Sequence, residues 1–279
     1  MITLNHLSYR YPSGMWALTD INAEIGPGLH LLVGENGSGK TTLLHIMAGL
    51  RTAVPADACM INNMPTAQRN PRLLEELFIL TDEMMFPYRT INEMTRRHAI
   101  FYPSFSPQLL GDTLHRFGMT GNEPIDFFSL GNRKKAQLAY VIALRPKVLL
   151  LDEPLNGLDI TARSEFIKIL AENISEDQTV IISSHTVLDF RNLIDGLIVI
   201  SGGQLILSMP TWKIAERIAF VNTSNPPTDA IFLQQSFGQF SSIIPNPGGE
   251  LTTDIDLILF YNAIVSDARQ SLLSHLNKQ

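Results

Sequence analysis

The stretch Leu29-His30-Leu31-Leu32-Val33-Gly34-Glu35-Asn36-Gly37-Ser38-Gly39-Lys40-Thr41-Thr42 decides the architecture. After Pro27-Gly28, residues 29–33 are a short, nearly continuous apolar run, which predicts a buried strand ending at Gly34. A helix is expected from Thr41 to about Ala48, with Gly49 placed to end it in a left-handed conformation. Between the two, residues 34–41 satisfy G-x-x-x-x-G-K-[ST] in the strand, loop and helix context that the motif demands. Gly34, Gly37 and Gly39 let the backbone N–H groups of the loop, through Glu35, Asn36 and Ser38, curl around phosphate oxygens. The helix start adds a positive dipole end, Lys40 reaches toward β and γ phosphates, and Thr41, followed by Thr42, offers a hydroxyl for Mg²⁺. A merely flexible glycine turn leaves the coincidence of strand, spacing, Lys-Thr pair and helix unexplained. A nucleoside triphosphate site is expected here.

Working outward, the apolar strands 148–151 and 180–183, separated by a helix over 162–173, have the βαβ rhythm of a parallel sheet. The first of them delivers Asp152 and Glu153 at its carboxyl end, the edge at which open α/β sheets bind ligands. Asp152 suits Mg²⁺ coordination through water, and Glu153 suits the polarising of a water for in-line attack; loop solvation is the plainer alternative for two exposed acids. Toward the N-terminus, alternation around 2–7 and 21–25, joined by the turn Tyr11-Pro12-Ser13-Gly14, predicts an antiparallel pair. Residues 84–146 carry helical periodicity at 91–100, 109–117 and 133–144 and read as a helical insertion. Residues 197–201 and 204–208 flank Gly202-Gly203 as a hairpin. Beyond Pro210 the pattern weakens, and a final helix is expected over 254–276. The plan is an α/β core over 1–209, with the helical subdomain at about 84–146, and a small accessory region over 210–279.

At 279 residues the chain can bury a substantial core, and 45% hydrophobic with 17% charged residues excludes collagen-like, coiled-coil and largely disordered classes. A net charge of −6 lacks the basic surplus that nucleic-acid binding calls for, so no nucleic-acid partner is expected. One cysteine, Cys59, permits neither an internal disulfide nor a thiolate zinc site, and with the ten Met residues it is read as packing. The start has no leader-like pattern, and the longest apolar run, 138–144, falls far short of the ~20 residues of a membrane span. A cytoplasmic location is expected, with any membrane role exercised through a partner.

With these motifs in their order, the chain resembles the nucleotide-binding subunit of an ATP-binding cassette (ABC) transporter, over about residues 1–209. The resemblance implies a P-loop ATPase fold with an antiparallel β subdomain and a helical subdomain. It also implies ATP and Mg²⁺ as ligands, a second cassette closing head to tail, and a separate membrane permease, which would hold the chain at the inner face of the cell membrane. By the same resemblance, Leu155-Asn156-Gly157-Leu158-Asp159 is the D-loop, with Asp159 near the dimer interface. His185, after Ser183-Ser184, corresponds to the switch histidine that contacts the γ-phosphate, and Tyr11 to the aromatic residue that stacks on adenine, with Tyr9 and Trp16 as neighbouring candidates.

Two segments compete for the signature that faces the partner's γ-phosphate. Ile200-Ser201-Gly202-Gly203-Gln204 matches Leu-Ser-Gly-Gly-Gln better letter by letter than Phe128-Ser129-Leu130-Gly131-Asn132 does. The motif must open a helix, however, and only Ser129 precedes a helical segment leading to the Asp152 strand, so Ser129 and Gly131 are assigned to it. At the Q-loop position, Leu80-Thr81-Asp82-Glu83 carries Asp82 where Gln is the rule. A carboxylate can bind Mg²⁺ or orient water but cannot donate an amide hydrogen bond, and a solvated acidic loop is the alternative. Residues 82–98 are the expected surface for the permease. Thr253-Asp254-Ile255-Asp256-Leu257-Ile258-Leu259-Phe260-Tyr261 resembles the ending of cassettes from bacterial exporters, which suggests export; an acidic helix start reads the same way. A soluble cassette acting as a nucleic-acid-associated or regulatory switch and a P-loop small-molecule kinase are the competing readings. Acidity opposes the first, and Glu153 with His185, which suit water attack, oppose the second.

Overall fold

The computed structural model describes residues 1–185, 188–190, 193–236 and 238–277. They divide into two compact units, one made of Met1–His185 with Ile198–Ser208 and the other drawn from 186–197 and 209–279.

The first unit begins with the antiparallel pair β1 (Ile2–Arg10) and β2 (Trp16–Ile25), joined through the turn that starts at Tyr11. Alternation, reset where the pairing shifts register near His6 (φ 49°) and Asp20 (φ 52°), buries Ile2, Leu4 and Leu7 from one strand and Leu18, Ile21 and Ile25 from the other. The short β4 (Cys59–Ile61) and β5 (Met64–Pro65) extend this sheet in the order β2-β1-β4-β5. A second, six-stranded sheet has the order β10-β9-β3-β8-β7-β6, formed by β3 (Gly28–Val33), β6 (Leu77–Leu80), β7 (Val148–Asp152), β8 (Thr179–Ser184), β9 (Gly196–Ser201) and β10 (Gln204–Pro210). Strands β3, β8, β7 and β6 run parallel, and β7 and β8 are buried along their whole length, as a sheet covered on both faces requires. Helix α1 (Lys40–Met47) contributes Leu43, Leu44, Ile46 and Met47 to a core shared with Leu18, Ile21, Leu150 and Ile181.

Register positions the site. Val33 pairs with Ser184, Asp152 with Ser183, and Leu80 with Leu151. The chain therefore leaves four adjacent strands at one edge, through Gly34, Thr81-Asp82, Asp152-Glu153 and Ser184-His185.

A single-turn helix, α2 (Pro71–Leu74), leads into β6. The helical stretch that follows contains α3 (Ile91–His98), α4 (Pro107–Arg116) and α5 (Leu130–Leu144), capped by the side chains of Thr90, Ser106 and Ser129 in turn. Residues 136–144 of α5 are all buried, which accounts for its long apolar run without a membrane. Helix α6 (Ile160–Asn173) makes the crossover from β7 to β8.

The second unit holds α7 (Thr211–Ala215) and a three-stranded antiparallel sheet of β11 (Ile218–Thr223), β12 (Phe232–Ser236) and β13 (Gln239–Pro245) in the order β11-β13-β12. The chain then forms α8 (Leu257–Val265) and α9 (Arg269–Leu276). The single helix expected over 254–276 is thus two. Ser266 Oγ donates to the Ala263 carbonyl at 2.8 Å and accepts from the Ala268 N–H at 3.1 Å, giving the backbone a local alternative to helix continuation.

Candidate functional site

The loop after β3 is built for an anion. Gly39 takes φ 110° and Gly37 φ 79°, conformations that side chains resist, and Gly39 leaves α1 without a side-chain cap. Helices α3, α4, α5, α6 and α8 each receive such a cap, whereas α1, like the short α7 and α9, has none, which leaves N–H groups at its start without a side-chain acceptor. Gly34 is fixed by crowding, because a Cβ there would lie 2.6 Å from Ser38 Oγ and closer still to the Ile200 carbonyl oxygen. Lys40 is buried, and its Nζ donates to the carbonyls of Gly34 at 2.8 Å and Glu35 at 3.2 Å. Burial pushes its ammonium below the ordinary lysine range, while Glu153 and Asp152 pull the other way. Ser38 Oγ is buried with no hydrogen-bond partner, an orphan in the loop before α1, which fits a phosphate oxygen as its missing acceptor.

Across the same edge, Ser183 Oγ donates to Asp152 Oδ1 at 2.5 Å and accepts from the Glu153 N–H at 3.0 Å. Glu153 has φ 47°, an uncommon backbone for a non-glycine residue, and its Oε2 lies 2.9 Å from His185 Nδ1. Lys40, Asp152, Glu153 and His185 are thereby gathered at one edge. Thr41 is exposed at the start of α1, and no group of three or more His, Cys, Asp or Glu among the described residues holds a metal alone. One hydroxyl and one carboxylate suit Mg²⁺, which keeps water and takes its remaining ligands from substrate phosphates.

Tyr11 reaches this loop through its hydroxyl, 2.7 Å from Thr42 Oγ1. Its ring meets Tyr9 edge to face at 5.2 Å, and the Arg51 guanidinium sits 5.1 Å from the ring centroid. Tyr9 accepts from Arg51 at 2.8 Å, and Trp16 is 55% exposed with Arg10 over its ring.

Ser129, Gly131 and Asp159 form a separate cluster at the starts of α5 and α6. Ser129 Oγ accepts from the Asn132 N–H at 3.2 Å, and a Cβ on Gly131 would meet the Gly157 carbonyl at 3.0 Å. Asp159 caps α6, accepting from the Ala162 N–H at 2.8 Å with Lys135 Nζ at 3.5 Å; the Ala162 hydrogen bond is the main reason its carboxyl titrates below the usual range. Among the described residues no hydrogen bond joins this cluster to Lys40, Thr41 or His185.

The segment 200–204 closes the β9–β10 hairpin, with Gly202 at φ 56° and Gly203 at φ 77°. Gly203 donates its N–H to the Ser38 carbonyl at 3.1 Å and accepts from the Thr19 N–H at 2.9 Å, bracing the loop from behind. Asp82 pairs with Lys134 Nζ at 3.0 Å through Oδ1 and accepts from Asn156 Nδ2 at 3.2 Å through Oδ2. Ser183, Gly203, Lys134 and Arg51 are participants that sequence reasoning passed over. Ser183 and Gly203 lay within quoted segments, but the long-range pairing that gives them their roles has no local signature.

The family model described as ABC transporter matches residues 18–156. The chain is 31% identical over 227 residues to the energy-coupling factor transporter ATP-binding protein EcfA of Methanothermobacter thermautotrophicus, covering 74% of this chain and 70% of that protein. It is 28% identical over 224 residues to EcfA2 of Thermotoga maritima, covering 78% and 84%. The structure of cbiO1 from Clostridium perfringens, described as part of the ABC transporter complex cbiONQ, aligns over 76% of this chain and 89% of its own, with TM-score 0.62 and 25% identity.

Proposed function

The chain belongs to the ABC transporter family of ATPases, and from that premise we propose that it is the ATP-hydrolysing subunit of a transporter, pairing head to tail with a second cassette and driving a separate membrane permease. The observation that carries the reading is the anion-ready loop of Gly34–Thr42, with the orphan Ser38 hydroxyl, placed at the same edge as the Glu153–His185 pair.

In this reading the loop N–H groups and Lys40 hold the β and γ phosphates, Lys40 exchanging its loop carbonyls for phosphate oxygens. Thr41 and Asp152 would hold Mg²⁺, which supplies neutralisation of phosphate charge when bound. Tyr11 stacks on adenine. The Glu153 carboxylate orients a water and takes its proton as the water oxygen attacks the γ-phosphorus and the bond to ADP breaks; His185, held by Glu153, contacts the γ-phosphate. Ser129, Gly131 and Asp159 come from the partner cassette, the Ser129 end of α5 presenting its N–H groups to the same phosphate. Exposed Phe127, Leu130 and Ile160 flank that cluster, as a surface covered by a second copy requires.

No helix among the described residues is long and apolar enough to cross a membrane; in this reading coupling runs through a separate permease, with residues 82–98 as its seat and the cassette at the inner membrane face. Residues 210–279 are assigned to an accessory region that follows the 1–209 cassette in sequence. The segment that suggested export, 253–261, contains a helix start capped by Asp256, a device any such helix uses, and the relatives are named for energy-coupling factor transporters. The proposal is therefore transport coupling as such, with direction read in vesicles. Phosphate release from ATP without any acceptor, joined to co-purification with a polytopic membrane protein, tests it; ATP turnover that requires a small-molecule acceptor would overturn it.

A further inference from the structure

Lys134 has no part in the chemistry above, yet it is one of the most constrained charges in the molecule. Its side chain is 4% exposed, on the inner face of the helix that Ser129 opens. A buried ammonium needs a partner, and Asp82 supplies it, Oδ1 to Nζ at 3.0 Å. The other oxygen of Asp82 takes the Asn156 amide at 3.2 Å, and the Asn156 N–H in turn donates to the Glu153 carbonyl at 3.2 Å. Because β6 and β7 run in parallel register, Leu80 beside Leu151, Asp82 leaves the sheet next to Asp152 and Glu153. The Asp82 side chain remains 46% exposed at that edge.

An unpaired carboxylate beside a polyphosphate is repulsive, and at a half-exposed edge water and salt weaken that repulsion without removing it. A neutral amide at the same place carries no such penalty. Resting on the ATPase reading, we propose that Lys134 is a positioning residue of the ATP site: it neutralises Asp82 and clamps it against Asn156, so that an acid can occupy this edge and the start of α5 is tied to the loop that carries Glu153. Asp82 is then an anchored, charge-compensated strut, a different job from the Mg²⁺ contact suggested by sequence.

The test uses the full chain and a fluorescent ATP analogue with Mg²⁺, comparing Lys134→Met, Asp82→Asn and the double variant. Removing the lysine should raise the dissociation constant about ten-fold, an effect that shrinks as salt screens the exposed carboxylate. Asp82→Asn should tighten binding, because the buried ammonium is left without its counter-charge, and the double variant should return to within about two-fold of the original chain. A purely structural ion pair would give a different pattern, with the double variant lacking the pair and binding no better than Lys134→Met; that result overturns the proposal. Weaker binding for Asp82→Asn also overturns it, since a Mg²⁺ ligand behaves that way. If Lys134→Met does not fold, the sign of the Asp82→Asn change decides alone, unchanged affinity counting against the proposal. Failure of the unmodified chain to bind nucleotide would overturn the ATPase reading itself, a separable outcome.

Discussion

Glu153 Oε2 and His185 Nδ1 lie 2.9 Å apart at the ends of neighbouring parallel strands, with Ser183 bonded to both Asp152 and the Glu153 backbone beneath them. The contact makes the acid and the imidazole one unit. Glu153 also holds an uncommon backbone conformation, φ 47°, which fixes where its side chain leaves the strand end.

Glu153→Gln should therefore keep MgATP binding while slowing hydrolysis by ~10²–10⁴, the usual weight of a general base, and ATP-bound dimers should accumulate. His185→Ala should slow turnover as well, since Glu153 loses the imidazole that holds its carboxylate. Steady-state phosphate release measured beside equilibrium nucleotide binding separates the two quantities, and near-normal turnover in Glu153→Gln would remove this residue from the base role.

Tyr11 presents two separable features, a ring and a hydroxyl bonded to Thr42. Tyr11→Ala should raise the ATP dissociation constant by roughly 2- to 12-fold, the equivalent of ~0.5–1.5 kcal/mol of stacking. Tyr11→Phe keeps the ring and loses one hydrogen bond, so its effect should stay at the lower end of that range. Titration with a fluorescent analogue reads both, and unchanged affinity in Tyr11→Ala would direct attention to Trp16.

Acid should destabilise the fold through two histidines. His98, beside Tyr140, has its pKa lowered by burial; His45 is lowered by burial and then by Arg51, against a smaller pull from Asp152. A histidine whose folded pKa is depressed binds protons more readily in the unfolded chain. Their neutral forms thus stabilise the fold fully above the unfolded value of about 6.5, and that contribution is lost as pH falls below it toward the lower folded values. Thermal midpoints should drop as the pH falls below about 6.5, and His98→Phe should flatten that slope. An unchanged slope would remove His98 from the account.

The strands around the phosphate loop, α1 with its Gly49 terminus and the βαβ pair were legible because each carries a local pattern: an apolar run, a glycine at a left-handed position, a cap. Strand β6 was harder, since Leu77–Leu80 is four residues with no flanking turn signal, and its place at the sheet edge is fixed only by pairing with Leu77↔Val148 to Leu80↔Leu151. The sheet of the second unit was missed for a related reason: β12 is largely exposed and polar, Gln234-Gln235-Ser236, without the alternation that marks a half-buried strand. At the site, side chains that act on a ligand stand in motifs, whereas those that act on other side chains, Ser183 on Asp152 and Lys134 on Asp82, are brought together from 31 and 52 positions away.

The two rival signatures yield opposed expectations that one set of variants resolves. Ser129 caps α5 beside exposed Leu130, so an arginine there places a bulky cation where the partner's phosphate must dock; Ser129→Arg should block ATP-dependent dimerisation and leave binding to each monomer's loop intact. Ser201→Arg, at a partly exposed strand end, should change stability by only about ±0.5 kcal/mol and leave dimerisation unaffected. Gly203→Ala is a third case. Its Cβ would stand 2.7 Å from the Ala17 carbonyl oxygen at a φ of 77°, and its N–H supports the Ser38 carbonyl. This variant should lose ~1–3 kcal/mol of stability and bind ATP more weakly in the monomer, because the brace behind the phosphate loop shifts. Light scattering in a Glu153→Gln background, where hydrolysis cannot dissolve the dimer, reads the first two, and monomer titration reads the third. Dimers that survive Ser129→Arg and vanish with Ser201→Arg, while Gly203→Ala binds ATP normally, would move the signature to the hairpin and leave the start of α5 without a phosphate to face.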